Sequence, residues 1–214
     1  MSRYNGTKSR RGILRKKLTN FMHHFIFKNE INFSEDSKLE TAMFGMGCFW
    51  GAEKKFWELE GVKLTAVGYA GGISRNPSYR DVCTGLTGHN EVVKLQFDPT
   101  EICYNQLLAL FWENHDPTQL NRQGNDFGTQ YRSGAYYFSK AQMLTIFETK
   151  EIYENSLREA GFGSIVTEIK EAPECFLAED YHQQYLAKNP HGYCGLGGTG
   201  ISLKEKLKTT AEAF

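Results

Sequence analysis

Ala42, Phe44 and Met46 recur with a period of two, which predicts a strand. Directly after it, Phe49, Ala52, Phe56 and Leu59 recur at helical spacing, and Gly61 is a stop signal. Val62–Gly68 reads as a second strand, followed by loop markers at Ala70-Gly71-Gly72 and Asn76-Pro77. Glu91–Asp98 reads as a third, with Val93, Leu95 and Phe97 on one face. Tyr104, Leu107, Leu108 and Phe111 predict a helix with Thr100 as its cap. Residues 114–132 are polar and contain glycine, so they read as a long loop, and such a loop in a compact domain is usually functional. Tyr136–Ser139 belongs to a strand. Met143, Ile146, Tyr153 and Leu157 mark a helix that ends at Gly161, and Ser164–Glu171 is a further strand. Leu177, Tyr181 and Tyr185 predict a last helix closed by Asn189-Pro190, with glycine-rich coil and a polar tail after His191. Strands and helices interleave irregularly, which indicates a single α+β domain.

The 214 residues leave room for one sizeable core plus a tail. Zero net charge hides an asymmetry. Residues 1–29 hold eight basic residues and no acid, leaving 17 basic against 25 acidic residues downstream. The folded part is therefore acidic, which argues against nucleic acid as a partner. No apolar run is long enough to span a membrane. The leader mixes Ile13, Leu14, Leu18, Phe21 and Phe25 with Arg and Lys. It reads either as a mitochondrial transit peptide or as a plain basic extension. Five cysteines, at 48, 83, 103, 175 and 194, contain no CxxC pair. That spacing lacks the common zinc patterns, and the odd count argues against a purely structural disulfide framework. It fits a reducing compartment, cytoplasmic or mitochondrial.

Cys48 is placed where the first strand ends and the first helix begins. Unpaired backbone N–H groups and the helix dipole favour a thiolate there. Phe49 and Trp50 beside it suit an apolar, electrophilic substrate. The plainer reading is a buried core cysteine. Glu91 shares the parity of Val93, Leu95 and Phe97. A carboxyl on that inward face is desolvated and can act as an acid near neutral pH, unless it turns out to water at the strand end. Tyr79, Asp126 and Tyr131 lie in loops and can supply hydroxyls and a carboxylate, or simply pack. His89 and His182 are candidate bases of a Cys/His pair. Gly195-Leu196-Gly197-Gly198-Thr199-Gly200 matches GxGxxG formally, but no strand precedes it and no helical pattern follows, so it is no dinucleotide site. Cys194 in that glycine-rich tail reads as a mobile thiol able to resolve an oxidised intermediate, or as a free thiol in a frayed end.

Five segments occur in order: Gly47-Cys48-Phe49-Trp50-Gly51-Ala52-Glu53, Gly68-Tyr69-Ala70-Gly71-Gly72, Gly88-His89-Asn90-Glu91-Val92-Val93, Asp126-Phe127-Gly128-Thr129-Gln130-Tyr131-Arg132-Ser133, and Gly192-Tyr193-Cys194-Gly195. Together, from about residue 41 to about residue 203, they make the chain resemble the A class of peptide methionine sulfoxide reductases. The resemblance implies a two-layer α/β sandwich with a ferredoxin-like core and long surrounding coils. It implies Cys48 as nucleophile, Phe49 and Trp50 holding the substrate methyl group, and Glu91, Tyr79 and Tyr131 binding the sulfoxide oxygen, with Glu91 supplying the proton. Asp126 would orient the substrate. Cys194 would convert a Cys48 sulfenic acid to a disulfide that thioredoxin reduces. The substrate would be the S-epimer of methionine sulfoxide, free or in proteins, handled by a monomer with no cofactor and no metal.

Two departures bear on this. Asn90 stands where Ala is common. Ser202 stands where some members carry a second recycling cysteine, which favours direct reduction of a Cys48–Cys194 bond. Cys83, Cys103 and Cys175 carry no motif. The expected organisation is a basic leader over 1–36, a catalytic domain over 37–203 and a polar tail over 204–214. A Cys/His hydrolase and a non-enzymatic binder of oxidised methionine are the competing readings, separated from a reductase by turnover with dithiothreitol.

Overall fold

The structure, a computed structural model, describes residues 22–33 and 38–203. Strand β1 (Glu40–Met46) turns Ala42, Phe44 and Met46 to one face and Met43 to the other, all fully buried. It pairs antiparallel with β3 (Asn90–Phe97), which pairs antiparallel with β2 (Val62–Ala70). Helix α1 (Phe49–Trp57) joins β1 to β2, and α2 (Tyr79–Cys83) lies between β2 and β3. Helix α3 (Tyr104–Glu113) follows β3. A small hairpin of β4 (Arg122–Gln123) and β5 (Asp126–Phe127) precedes β6 (Ser133–Tyr137). Next come α4 (Lys140–Glu159), β7 (Glu168–Glu171), β8 (Cys175–Leu177) and α5 (Tyr185–Lys188). The main sheet runs β7-β6-β1-β3-β2-β8, with only β6 and β7 parallel.

One core lies between the sheet and helices α1, α3 and α4. Phe44 stacks on Phe56 at 5.3 Å and on Phe111 at 5.1 Å, so β1 is fixed between α1 and α3. Burial of each such side chain stabilises by roughly 1.5–3 kcal/mol. The opposite face is covered in part by residues 22–33, where Ile31 packs with Leu64 and Ala66, and Phe33 and Met22 add to the cover.

Several expectations change. The helix over Leu177–Tyr185 is absent. Leu177 pairs with Gly68 in β8, and only Tyr185–Lys188 is helical. Gln184 has φ 46°, a left-handed conformation that a right-handed helix cannot contain. Gln183 ties this stretch to the sheet, accepting from Val67 N–H and donating to the Val67 and Ala178 carbonyls. Cys103, not Thr100, precedes α3, and Thr100 bonds Asp98 instead. Helix α2 falls in a stretch read as loop; Ser78 and Asp81 form a reciprocal cap there. The strand expected over Ser164–Glu171 begins only at Glu168. The packed unit starts well before residue 37, since residues 22–33, assigned to the leader, bury His24 and Ile31. The rest of the leader and the tail beyond Leu203 lie outside the described residues. Among the described residues no helix is long and apolar enough to cross a membrane.

Candidate active site

Gly47, with φ 90°, lets β1 turn sharply into α1, and a Cβ there would overlap Gln123 of the β4–β5 hairpin. Cys48 is the N-cap of α1, with no side-chain capping hydrogen bond, and its sulfur lies near the Trp50 backbone N–H. That contact favours the thiolate. Burial and the neighbouring Glu91 outweigh it, and together they hold the thiol well above the ordinary cysteine range. The resting form is therefore a thiol, against the thiolate expected from the helix terminus alone.

Glu91 enters the same centre from β3. It is 2% exposed, and its Oε2 accepts Phe49 N–H at 3.0 Å. Burial pushes its carboxyl up to about 8, partly opposed by that bond and aided by Asp126. A group with that value is mostly protonated at pH 7. The inward parity of Glu91 is thus seen in the structure.

Tyr131 closes the turn Thr129–Tyr131, next to Glu91, Asp126 and Cys48. Burial foremost, then those three groups, holds its hydroxyl in the protonated, donating form. Tyr79 opens α2. Its N–H donates to Glu179 Oε1 at 2.9 Å, and Tyr69 OH donates to Glu179 Oε2 at 3.0 Å. The Cys83 thiol, one turn on along α2, lies near the Tyr79 hydroxyl, which puts Cys83 at the edge of the centre. Asp126, half-buried in β5, accepts from Tyr193 OH at 3.3 Å.

The tail carrying Cys194 is docked. The Cys194 sulfur lies 3.0 Å from where a Cβ on Gly51 would stand, so the missing side chain of Gly51 admits it to the first turn of α1. Beyond it, Thr199 bonds Tyr153 OH at 2.8 Å, and Glu113 accepts from Leu203 N–H at 2.8 Å and Ser202 OH at 3.2 Å. The mobile or frayed tail read from the sequence is instead held at both ends of its loop.

Phe49 is buried against Tyr69 and His182, with ring centroids 5.8 Å and 5.2 Å away. Trp50 stacks on Tyr185 at 3.9 Å, and its indole N–H donates to His182 Nδ1 at 3.0 Å. His89 spends both ring nitrogens on the Gly72 N–H and the Ser74 carbonyl. The two candidate bases therefore support an indole and a glycine loop. Sequence reasoning missed Glu53, Glu179, Gln184 and Tyr185. Only Glu53 stood inside a recognised segment. Among the described residues no group of three or more His, Cys, Asp or Glu could hold a metal.

The model of the family described as peptide methionine sulfoxide reductase matches residues 40–212. The peptide methionine sulfoxide reductase MsrA of Rippkaea orientalis is 61% identical over 179 residues, covering 84% of this chain and 82% of that protein. The structure of methionine sulfoxide reductase A of Corynebacterium diphtheriae aligns with a TM-score of 0.74 at 45% identity, over 82% of this chain and 85% of the other. Mxr1 from Saccharomyces cerevisiae in its reduced form gives 0.69 at 35% identity, over 75% and 91%.

Proposed function

The chain belongs to the peptide methionine sulfoxide reductase family, and on that footing we propose that it reduces the S-epimer of methionine sulfoxide through a sulfenic acid on Cys48. One observation carries the reading: a buried, largely protonated Glu91 held by the N–H of Phe49, beside the Cys48 thiol, with the Cys194 sulfur at Gly51. A sulfoxide oxygen transfers poorly until it is protonated. Glu91 gives its proton to that oxygen as the Cys48 sulfur attacks the sulfoxide sulfur, and the thiol proton refills Glu91. The sulfur–oxygen bond of the substrate breaks, the oxygen ends on Cys48 as a sulfenic acid, and methionine leaves as the thioether. Tyr79 and Tyr131 donate to the oxygen, Asp126 orients the substrate, and Phe49 and Trp50 receive its methyl group.

Cys194 then attacks the sulfenic acid, forming a disulfide and releasing water. Ser202, engaged with Glu113, has no thiol to continue a relay. The Cys48–Cys194 bond is left for a dithiol protein, thioredoxin, to reduce, and the chemistry needs no cofactor. The Rippkaea relative is bacterial, which supports the cytoplasm as the location and lends nothing to the mitochondrial reading of the leader. The deciding experiment is turnover of the two separated epimers of a methionine sulfoxide peptide with dithiothreitol. Reduction of the S-epimer alone is expected, and equal reduction of both, or of neither, refutes the proposal.

A further inference from the structure

Residues 22–33 precede the stretch that matches the family, 40–212, yet they enter a buried polar network. His24 is fully buried, and its Nδ1 accepts Ile26 N–H at 3.2 Å and Phe27 N–H at 3.1 Å. That fixes the tautomer, because Nδ1 carries no proton and Nε2 must. Burial, with Lys188 and Lys28 nearby, lowers His24 to about 4, which keeps the ring neutral at pH 7. Nε2 donates to Thr65 Oγ1 at 2.9 Å, and Thr65 donates to Glu53 Oε1 at 2.9 Å. The same carboxylate accepts the Gln184 N–H at 2.8 Å and Gln184 Nε2–H at 2.6 Å. Gln184 Oε1 in turn accepts Phe25 N–H at 3.0 Å. Two arms thus leave the segment, one through Thr65 and one through Gln184, and both end on Glu53. Each donor has one acceptor, so cutting either arm strands a buried polar group.

The network leads to the indole of Trp50. Glu53 follows Trp50 on α1 by three residues, one helical turn. Gln184 holds φ 46°, a backbone state that a non-glycine residue keeps only when its surroundings enforce it. Tyr185, the next residue, stacks on the Trp50 ring, and His182, two residues before Gln184, takes the indole N–H. We propose that residues 22–33 are a positioning element for Trp50, in which His24, through Thr65, Glu53 and Gln184, fixes the wall that receives the substrate methyl group. This rests on the assignment of Trp50 to that wall.

The test is the discrimination between methionine sulfoxide and ethionine sulfoxide, measured as the ratio of kcat/KM values in the full-length protein. His24→Asn keeps an oxygen where Nδ1 accepts from Ile26 and Phe27 but is too short to reach Thr65. Thr65→Val cuts the same arm from the sheet side and keeps the side-chain shape. A pocket that senses one methylene discriminates by about 10–200-fold, and either variant is expected to lower the ratio by at least about five-fold, mainly by admitting the ethyl substrate. Assays run below each variant's melting temperature. An unchanged ratio in both variants, with only the melting temperature lowered, overturns the inference and leaves a structural clasp. Trp50→Ala separates the two assignments: if it leaves the ratio unchanged, the methyl wall itself is misassigned and the inference falls with it.

Discussion

Replacing Glu91 by Gln removes the transferable proton while preserving the shape around it. The Gln side-chain oxygen can still accept Phe49 N–H, the 3.0 Å bond that orients the carboxyl. Burial lifts the carboxyl from 4.5 to about 8, so at pH 7 about 90% of it is protonated. Loss of a general acid lowers the rate by roughly 10²–10⁴-fold. That is about 2.7–5.4 kcal/mol of barrier. The assay is single-turnover release of methionine from a sulfoxide peptide by rapid quench, between pH 5 and 10. The wild-type rate should fall as pH climbs past about 8, where Glu91 ionises, and the variant should lack that limb. Folding carries the same signature. The folded pKa is raised, so the stability tied to this group is complete below about 4.5 and is lost as pH rises through about 8. Gln removes that slope. A variant within tenfold of wild type that keeps the alkaline limb refutes the assignment of Glu91 as the acid.

Cys48→Ser should abolish reduction, because a hydroxyl is a far weaker nucleophile than sulfur; clear turnover by pure variant protein contradicts this. Cys194→Ser should still release about one equivalent of methionine per enzyme, since only Cys48 acts in the first step, and should lose multiple turnover with thioredoxin. Full thioredoxin-driven turnover in that variant would assign resolution to another thiol. Deleting residues 1–35 removes Ile31 from its contacts with Leu64 and Ala66 and cuts both arms to Glu53. Burial of that one side chain alone is worth roughly 1.5–3 kcal/mol, so the melting temperature should drop by several degrees; an unchanged melt shows that the segment contributes no stability.

The residues around Cys48 were legible because local pattern and tertiary role coincide. The period-two run through Met46, the glycine at 47 and the helical spacing after Phe49 are satisfied by one turn, which places Cys48 at a helix terminus. Glu91 was legible for a similar reason, since strand parity directly decides which face is buried. What the pattern hid was decided by contacts distant in sequence. The Cys48 thiol is held up first by burial and then by Glu91, 43 residues away, and neither is visible to a helix-terminus argument. Leu177, Tyr181 and Tyr185 share helical spacing, but Gln183 and Gln184 bind the sheet and Glu53, and the left-handed Gln184 breaks the helix. His24 carried no signal in the leader, because its partner Thr65, and Glu53 beyond it, come later in the chain. The tail looked mobile from its glycines, whereas Tyr153 and Glu113 fasten its far end.

Oxygen transfer to Cys48 followed by capture on Cys194 is the centre of the account. The most direct test is peptide mapping of the wild-type protein after a single turnover of the S-epimer without reductant. The Cys194 sulfur at the first turn of α1 predicts one disulfide, Cys48 to Cys194, formed with one equivalent of methionine. A bond from Cys48 to Cys83, which lies near the Tyr79 hydroxyl at the edge of the centre, or to Cys103 or Cys175, would contradict it, as would methionine release with Cys48 left unoxidised.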